Sequence, residues 1–276
     1  NLETLNTIEE LNSIKGQLLE YYIPCKAKNY LDNITIARSI VILRQFIKCY
    51  GYTLFSKEKF IKGEKNTIYK IVAIDKESRL YYNRPLSNIV FMGMGEPLMN
   101  YNNVIKAIDK ITSPEGLGMS PKRITLSTSG VPKMIKKLAD DAVKFNLAVS
   151  LHSAIDEVRT SIMPFNKTFP LTDLKESLEY WYSKTKRKIT YEYIVWQGIN
   201  DTQKDIDALV KFCKAIPCKV NIIEYNPIDD CNFQQANSEA INNYIYHLEK
   251  NRIIVNLRRS RGKDIDAACG QLANKS

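Results

Sequence analysis

Residues 91–100, FMGMGEPLMN, bring glycine, a carboxylate and proline close together. Gly93 and Gly95 permit positive φ angles and let a ligand approach the backbone, because glycine has no Cβ. Glu96 adds a negatively charged acceptor, and Pro97 stiffens the chain that follows. A carboxylate beside bare backbone suits the charged amino group of an amino-acid-like ligand. A plain strand-to-helix turn without a ligand is the alternative interpretation of these residues.

Polar residues also follow other apolar runs, at 127–130, 152–153, 226 and 258–260. In an α/β barrel the carboxyl ends of the strands form one mouth, where such groups converge. An open sheet would instead concentrate them at a single switch point, so their spread over five strand ends favours a full or partial barrel. Each residue also has an ordinary interpretation, with Ser127 as a turn residue and His152 as a core histidine.

The elements that must position these groups are short β-branched runs alternating with amphipathic helical patterns. The runs lie at 89–92, 124–128, 147–152, 189–195, 220–225 and 253–257. Apolar residues at helical spacing lie at 104–111, 174–182, 206–213 and 241–248. This alternation predicts an α/β fold with parallel strands joined by right-handed crossovers.

The first 66 residues differ from the rest. Two stretches, 5–22 and 36–50, look helical, and 51–66 is basic and irregular. We therefore predict two regions: an irregular or partly helical N-terminal segment over 1–66, and an α/β-barrel domain over 67–276. The first residue is Asn rather than Met, which suggests a fragment or an unusual gene model.

The composition indicates a cytoplasmic globular protein. No run of roughly 18 apolar residues could span a membrane, and the N-terminus lacks the features of a secretory signal. The net charge of +10 favours a polyanionic partner such as RNA, although basic clusters at 184–188 and 258–263 could equally be solvated surface. Six cysteines without a signal peptide indicate reduced thiols.

The cysteines show no CxxC or CxxxC spacing. We interpret Cys213 and Cys218, on a helix and the loop after it, and Cys231 as structural. Cys269 lies between alanine and glycine, where a cysteine is ordinarily a small buried hydrophobe.

Longer stretches of the chain carry a resemblance to a known family. They are GMGEP, YNNVIKAIDKITSPEGLGMSPKRITLSTSG, FNLAVSLHSAIDEVRTSIMPFNKTFPL, ITYEYIVWQGINDT, CKVNIIEYNPIDD and LRRSRGKDIDAACGQL. In order and over roughly two thirds of the chain, these stretches resemble the RlmN/Cfr family of radical S-adenosylmethionine (SAM) rRNA adenine methyltransferases. Within them, GMGEP looks like the SAM-binding GGE-type motif of radical SAM enzymes.

This resemblance implies a partial (β/α)6-type TIM barrel of the radical SAM kind and assigns roles to matching residues. Gly95 and Glu96 would hold the methionine end of SAM. The rest of the SAM pocket would be lined by Ser127, Ser150, Leu151, His152 and Asn226. Cys269 would be the catalytic cysteine that is methylated and carries the methyl group to adenine.

The implied activity is that of a dual-specificity 23S rRNA (adenine-C2)-methyltransferase, with tRNA as a further substrate. The family uses two SAM molecules and a 4Fe-4S cluster. The implied partners are RNA and an electron donor such as flavodoxin or ferredoxin, with no membrane, and the protein would be a monomer.

The cluster ligands that the resemblance requires are not found in the sequence. A CxxxCxxC motif is expected before Thr67, but only Cys25 and Cys49 lie there, 24 positions apart. We therefore assign no metal ligands. Three explanations stay open: a damaged or frameshifted N-terminal third, a degenerate paralogue, or ligands from elsewhere.

Two alternative functions accompany the enzyme hypothesis. The first is a cluster-free SAM- or RNA-binding paralogue, or a fragment without activity. The second is an unrelated barrel enzyme with Glu96 and His152 as acid and base. No nucleophile elbow, Walker motif or HExxH zinc motif supports the second.

Overall fold

Six parallel strands form one sheet within the described part of this computed structural model, which comprises residues 75–76, 78–80, 82–92, 95–226 and 233–259. The strands are β1 (Ile89–Phe91), β2 (Ile124–Thr128), β3 (Asn146–Ser150), β4 (Ile189–Ile194), β5 (Cys218–Ile223) and β6 (Ile254–Arg258). They lie side by side in chain order, and every neighbouring pair is parallel. Right-handed crossovers in this sequential order put the helices on one face and leave the other face as the barrel interior. The predicted α/β fold of the partial-barrel kind is confirmed.

Helices connect successive strands. They are α1 (Tyr101–Thr112), α2 (Pro132–Asp140), α3 (Asp156–Ile162), α4 (Leu171–Thr185), α5 (Gln203–Cys213) and α6 (Ser238–Lys250), with 3₁₀ turns at Pro97–Asn100, Pro121–Arg123 and Pro164–Lys167. None of the helices in the described ranges is long and apolar enough to cross a membrane.

Local sequence explains where several helices begin. Pro132 begins α2, where its missing N–H leaves no hydrogen bond unmade. At the start of α5 the Thr202 backbone N–H donates to the Asp205 carboxylate at 3.2 Å, one half of a capping box. At the start of α6 the Asn237 side chain accepts from the Ala240 N–H at 2.8 Å.

The core lies between the sheet and the helices. Tyr191 of β4 packs edge-on against Phe212 of α5 at 5.5 Å, and Tyr193 packs against Tyr244 of α6 at 5.4 Å, both between ring centroids. Trp181 of α4 is completely buried in the same layer. Each fully buried side chain of this size contributes about 1.5–3 kcal/mol or more, so this layer fixes the position of the strand ends.

The observed strands lie within two residues of the predicted runs at both ends. The sequence patterns did not reveal α2 and α3. One prediction is wrong: Cys218 is the first residue of β5 rather than a loop residue, because the strand begins two positions before Val220. The 1–66 segment lies outside the described residues, and the domain boundary near residue 67 stays a prediction.

Candidate functional site

The inner face of the sheet, opposite the helices, carries polar side chains. Successive strand residues point to opposite faces, so Glu192, the neighbour of the helix-facing Tyr191, lies on the inner face. The strand registers set Ser150, Glu192, Asn221 and Asn256 beside one another across β3 to β6. We call these four residues the polar row.

The polar row is connected by hydrogen bonds. Asn221 Nδ2 donates to Glu192 Oε1 at 2.8 Å, and Asn256 Nδ2 donates to Asn221 Oδ1 at 3.1 Å. Arg258 Nη1 lies 3.5 Å from Glu192 Oε2, a long ion pair. Burial raises the pKa of the Glu192 carboxyl, while the Arg258 charge and the Asn221 hydrogen bond act in the opposite direction. The row therefore holds a carboxylate, 4% exposed as a residue, in the barrel interior.

Glu96 joins the segment after β1 to the end of β2. Its Oε1 accepts from the Leu98 N–H at 3.0 Å and from the Thr128 hydroxyl at 2.8 Å. Its Oε2 accepts from the Ser129 N–H at 2.6 Å. A carboxylate has about four lone-pair positions, so Oε2 can accept a further hydrogen bond. Glu96 is partly exposed and can meet a ligand.

Gly95 adopts the positive φ that glycine permits. Its φ is +84°, and no described atom lies within 4 Å of the position that a Cβ would take. The residue therefore leaves open space directly beside Glu96.

Ser127 and Ser150 lie on the inner face, near the ends of β2 and β3, and both are partly exposed. Leu151 differs from them because it is fully buried. Its backbone N–H donates to the Glu192 carbonyl at 3.0 Å, which extends the β3–β4 pairing. The Leu151 N–H is thus occupied by strand pairing and its side chain lies in the hydrophobic core, so its place in a ligand pocket stays a prediction.

His152 adopts a left-handed φ of +55° immediately after β3. Its Nδ1 accepts from the Ile194 N–H at 3.2 Å, which requires an unprotonated Nδ1. Although part of its surface reaches solvent, desolvation lowers the pKa of the imidazole to about 3, and the positive charge of Arg159 acts in the same direction. His152 is therefore neutral at physiological pH.

Asn226 follows β5 and is 2% exposed. The neighbouring Tyr225 ring meets Trp196 at 6.0 Å, and the His152 ring meets the same tryptophan at 5.6 Å. The Tyr225 backbone N–H also donates to the Gln235 side chain. Trp196 thus links the end of β3 to the end of β5.

All these residues lie where the parallel strands end, which we call the carboxyl edge. Gly95 and Glu96 follow β1, Ser127 lies in β2, Ser150 to His152 close β3, and Asn226 follows β5. Gly93, Cys231 and Cys269 lie outside the described residues. Apart from Ser150, the residues of the polar row were not predicted from the sequence. The clue in the sequence is Glu192, because a carboxylate between two tyrosines in the strand ITYEYI is unusual.

The basic clusters lie at different ends of the sheet. Lys184, Lys186 and Lys188 are exposed just before β4 begins, at the amino edge. Arg258 and the exposed Arg259 lie at the carboxyl edge, where β6 ends.

Comparisons with known proteins support the fold and identify relatives, although no family model matches the chain. A protein of Christiangramia forsetii named probable dual-specificity RNA methyltransferase RlmN is 78% identical over 207 residues, covering 75% of this chain and 59% of that protein. A protein of the same name from Flavobacterium johnsoniae is 75% identical over 213 residues, covering 77% of this chain and 61% of that protein. The crystal structure of a radical SAM methyltransferase from Sphaerobacter thermophilus matches with a TM-score of 0.71 and 36% identity, covering 74% of this chain and 60% of that one.

The chain belongs to the RlmN-like family. It spans about three fifths of the length of the curated relatives it matches. The family resemblance stated from the sequence is confirmed.

An RlmN-like, radical SAM protein implies SAM and a 4Fe-4S cluster, and the described residues fit only the first. Gly95 and Glu96 offer open space beside a carboxylate, which suits an amino-acid-like ligand. In contrast, no group of three or more His, Cys, Asp or Glu among the described residues could hold a metal ion. Cys213 and Cys218 are buried where α5 ends and β5 begins, at the amino edge. The cluster ligands are therefore not among the residues that the structure describes.

Proposed function

We propose that this chain carries the SAM-binding barrel of an RNA adenine methyltransferase, with 23S rRNA as its substrate and tRNA as a second substrate. The observation that carries the proposal is the convergence of Glu96, Ser127, His152 and Asn226 at one carboxyl edge. Binding groups of α/β barrels gather at that edge. The relatives named as dual-specificity RNA methyltransferases support the choice of RNA.

The chemistry of the site suits a cationic amino-acid-like ligand. In this proposal the Glu96 carboxylate accepts from the amino group of SAM, with Gly95 giving room for close approach. The hydroxyls of Ser127 and Ser150 and the amide of Asn226 are hydrogen-bonding partners for its polar groups. When bound, SAM supplies the methyl group and, in radical enzymes, the source of a carbon-centred radical.

The neutral state of His152 is also suited to this ligand. A protonated imidazole would repel the sulfonium and amino charges of SAM, whereas a neutral ring does not. Burial and the Arg159 charge both keep the ring neutral at physiological pH.

Further parts of the activity rest on residues outside the described ranges. Cys269 is our candidate for the methyl carrier, because a thiol can accept a methyl group. We also propose a reduced flavodoxin or ferredoxin as electron donor and a monomeric, cytoplasmic protein.

The first test is SAM binding. Equilibrium dialysis with labelled SAM should detect binding to the wild-type chain and about tenfold weaker binding to Glu96→Gln, since a hydrogen bond to a charged group is lost. Glu179→Gln is the control, because Glu179 is an exposed carboxylate on α4 that pairs with Lys175 at 3.9 Å, away from the carboxyl edge. Equal binding by the two variants would exclude Glu96 from the ligand site.

A cluster-free SAM- or RNA-binding paralogue is the second candidate, favoured by the lack of a three-thiolate site among the described residues. Anaerobic iron–sulfur reconstitution and iron quantitation separate the two functions. About four irons per chain would support the radical enzyme and justify an rRNA methylation assay. Iron-free protein that still binds SAM would support the paralogue.

A further inference from the structure

Arg159 of α3 is a fully buried cation that forms no direct ion pair among the described residues, although the nearby Asp156 carboxylate stabilises its charge. Its guanidinium donates to backbone carbonyls instead. Nη2 donates to the Ser129 carbonyl at 2.6 Å and to the Ser150 carbonyl at 3.1 Å, and Nε donates to the Leu151 carbonyl at 3.0 Å. Burial lowers the pKa of the guanidinium to about 10, which leaves it protonated at neutral pH.

The three carbonyls belong to the two strand ends that form the candidate site. Ser129 follows β2, and its N–H donates to Glu96. Ser150 and Leu151 end β3 and lead into His152. One guanidinium therefore joins the backbone that holds Glu96 to the backbone that presents Ser150 and His152.

Arg159 is itself held from the opposite side. Its Nη1 donates to Asn166 Oδ1 at 2.6 Å. Asn166 is 2% exposed, and its Nδ2 donates to the Asp156 carboxylate and to the Thr160 hydroxyl, both at 2.9 Å. The guanidinium thus has a fixed orientation that does not depend on a ligand.

We infer that Arg159 is a positioning residue for the SAM site, holding the chain segments after β2 and β3 at the separation that ligand binding requires. This inference rests on the proposed function. A planar guanidinium can donate to several carbonyls at fixed angles, whereas a lysine ammonium is a single point donor on a flexible stem. An apolar side chain would fill the same volume but leave the carbonyls without this partner.

The main test compares Arg159→Lys with Arg187→Lys in the full chain. Arg187 also donates to a backbone carbonyl, that of Lys144, and to the Asn146 side chain, but at the amino edge. We expect Arg159→Lys to bind SAM about tenfold more weakly, because buried charged hydrogen bonds are lost, and Arg187→Lys to bind within about twofold of wild type. Asn166→Ala keeps Arg159 but removes the hydrogen bond that orients its guanidinium, so it should also weaken SAM binding, by a smaller factor.

Two readouts on the ligand-free chain separate positioning from a general loss of stability. Amide hydrogen exchange should accelerate at Ser129 and Leu151 in Arg159→Lys, relative to other residues of β2 and β3. In Arg159→Met, NMR titration should show the pKa of His152 rising, because a nearby positive charge is removed, whereas Arg159→Lys should leave it nearly unchanged.

The possible outcomes are distinguishable. If wild type binds SAM and Arg159→Lys binds it equally well, Arg159 is not a positioning residue. If wild type does not bind SAM, the proposed function fails. The exchange data then decide the inference: unchanged exchange at Ser129 and Leu151 overturns it, and selective acceleration supports the positioning of these strand ends.

Discussion

Replacing Gly95 by alanine tests whether the open space beside that residue belongs to a ligand. Because no described atom lies within 4 Å of the added methyl group, the described residues oppose the substitution through backbone strain at φ +84° and not through a steric clash. The left-handed conformation costs a residue with a Cβ roughly 1–2 kcal/mol. In a protein of this size each kcal/mol lowers the melting temperature by about 2–4 °C, so Gly95→Ala should melt roughly 2–8 °C below wild type.

Gly118 provides the matched control. It also has a left-handed φ, +57°, and no described atom within 4 Å of a built Cβ, but it precedes β2 and so lies toward the amino edge. Gly118→Ala should therefore lose a similar free energy of unfolding. Only Gly95→Ala should also bind SAM more weakly, by about tenfold or more, since about 1.4 kcal/mol of lost contact is enough for that factor.

Thermal denaturation and equilibrium dialysis on the same preparations separate the two effects. Equal SAM affinity in Gly95→Ala and Gly118→Ala would mean that the ligand does not approach Gly95, and would refute this use of the open space. A much larger stability loss in Gly95→Ala than in Gly118→Ala would contradict the absence of a steric obstacle.

Three further predictions concern buried polar groups. Burial raises the pKa of Glu192 in the folded protein, so the folded protein loses stability as pH rises above about 4.5. The loss is about 1.4 kcal/mol for each unit by which folding raises this pKa. Urea titrations at about pH 4 and pH 8 measure the free energy of unfolding of wild type and Glu192→Gln. The stability of the variant relative to wild type should be greater at pH 8 than at pH 4, and a relative stability that does not change with pH would contradict this prediction. The lowered pKa of His152 has the opposite sign, so acidification from about pH 7 to about pH 5.5 should cost wild type about 1 kcal/mol that His152→Asn does not lose. Tyr244→Phe should cost about 1–2 kcal/mol in chemical denaturation, because its hydroxyl donates to the buried Asn200 carbonyl at 2.6 Å, whereas the exposed Tyr246→Phe should be nearly neutral.

The strands and four of the helices could be predicted from the sequence because their patterns are long and regular. Buried parallel strands are continuous apolar runs, and α1, α4, α5 and α6 have 11 residues or more, with apolar residues at helical spacing over at least eight of them. In contrast, α2 has nine residues and α3 has seven. In α2 the apolar residues Ile135, Leu138 and Ala139 do lie at helical spacing, so this signal was present in the sequence but was missed. In α3 only Val158 and Ile162 are apolar, which is too few to define a period.

The polar interior was harder to predict for a physical reason. Alternation in a strand distinguishes its two faces, but it does not reveal whether a polar face meets solvent or a closed barrel interior. Glu192 is buried, and its partners Asn221 and Arg258 come from β5 and β6, which are distant in the sequence. Arg159 is an extreme case, since its sequence context, DEVRTSI, is typical of an exposed helix. Its burial depends on carbonyls from two other strand ends, which no local pattern encodes.

The position of the basic clusters limits how RNA could bind. The six residues of β4 span roughly 20 Å at about 3.3 Å per residue, which separates Lys186 and Lys188 at the amino edge from the carboxyl edge. Since the Debye length is about 8 Å at physiological ionic strength, exposed charges so far apart are largely screened. If RNA binds as proposed, with its adenine at the carboxyl edge, the phosphates next to that adenine lie nearer to Arg258 and Arg259 than to the amino-edge lysines. Among the described basic residues, the carboxyl-edge arginines are then expected to contribute more to the salt dependence of affinity than the amino-edge lysines, because each phosphate contact contributes its own released counterion.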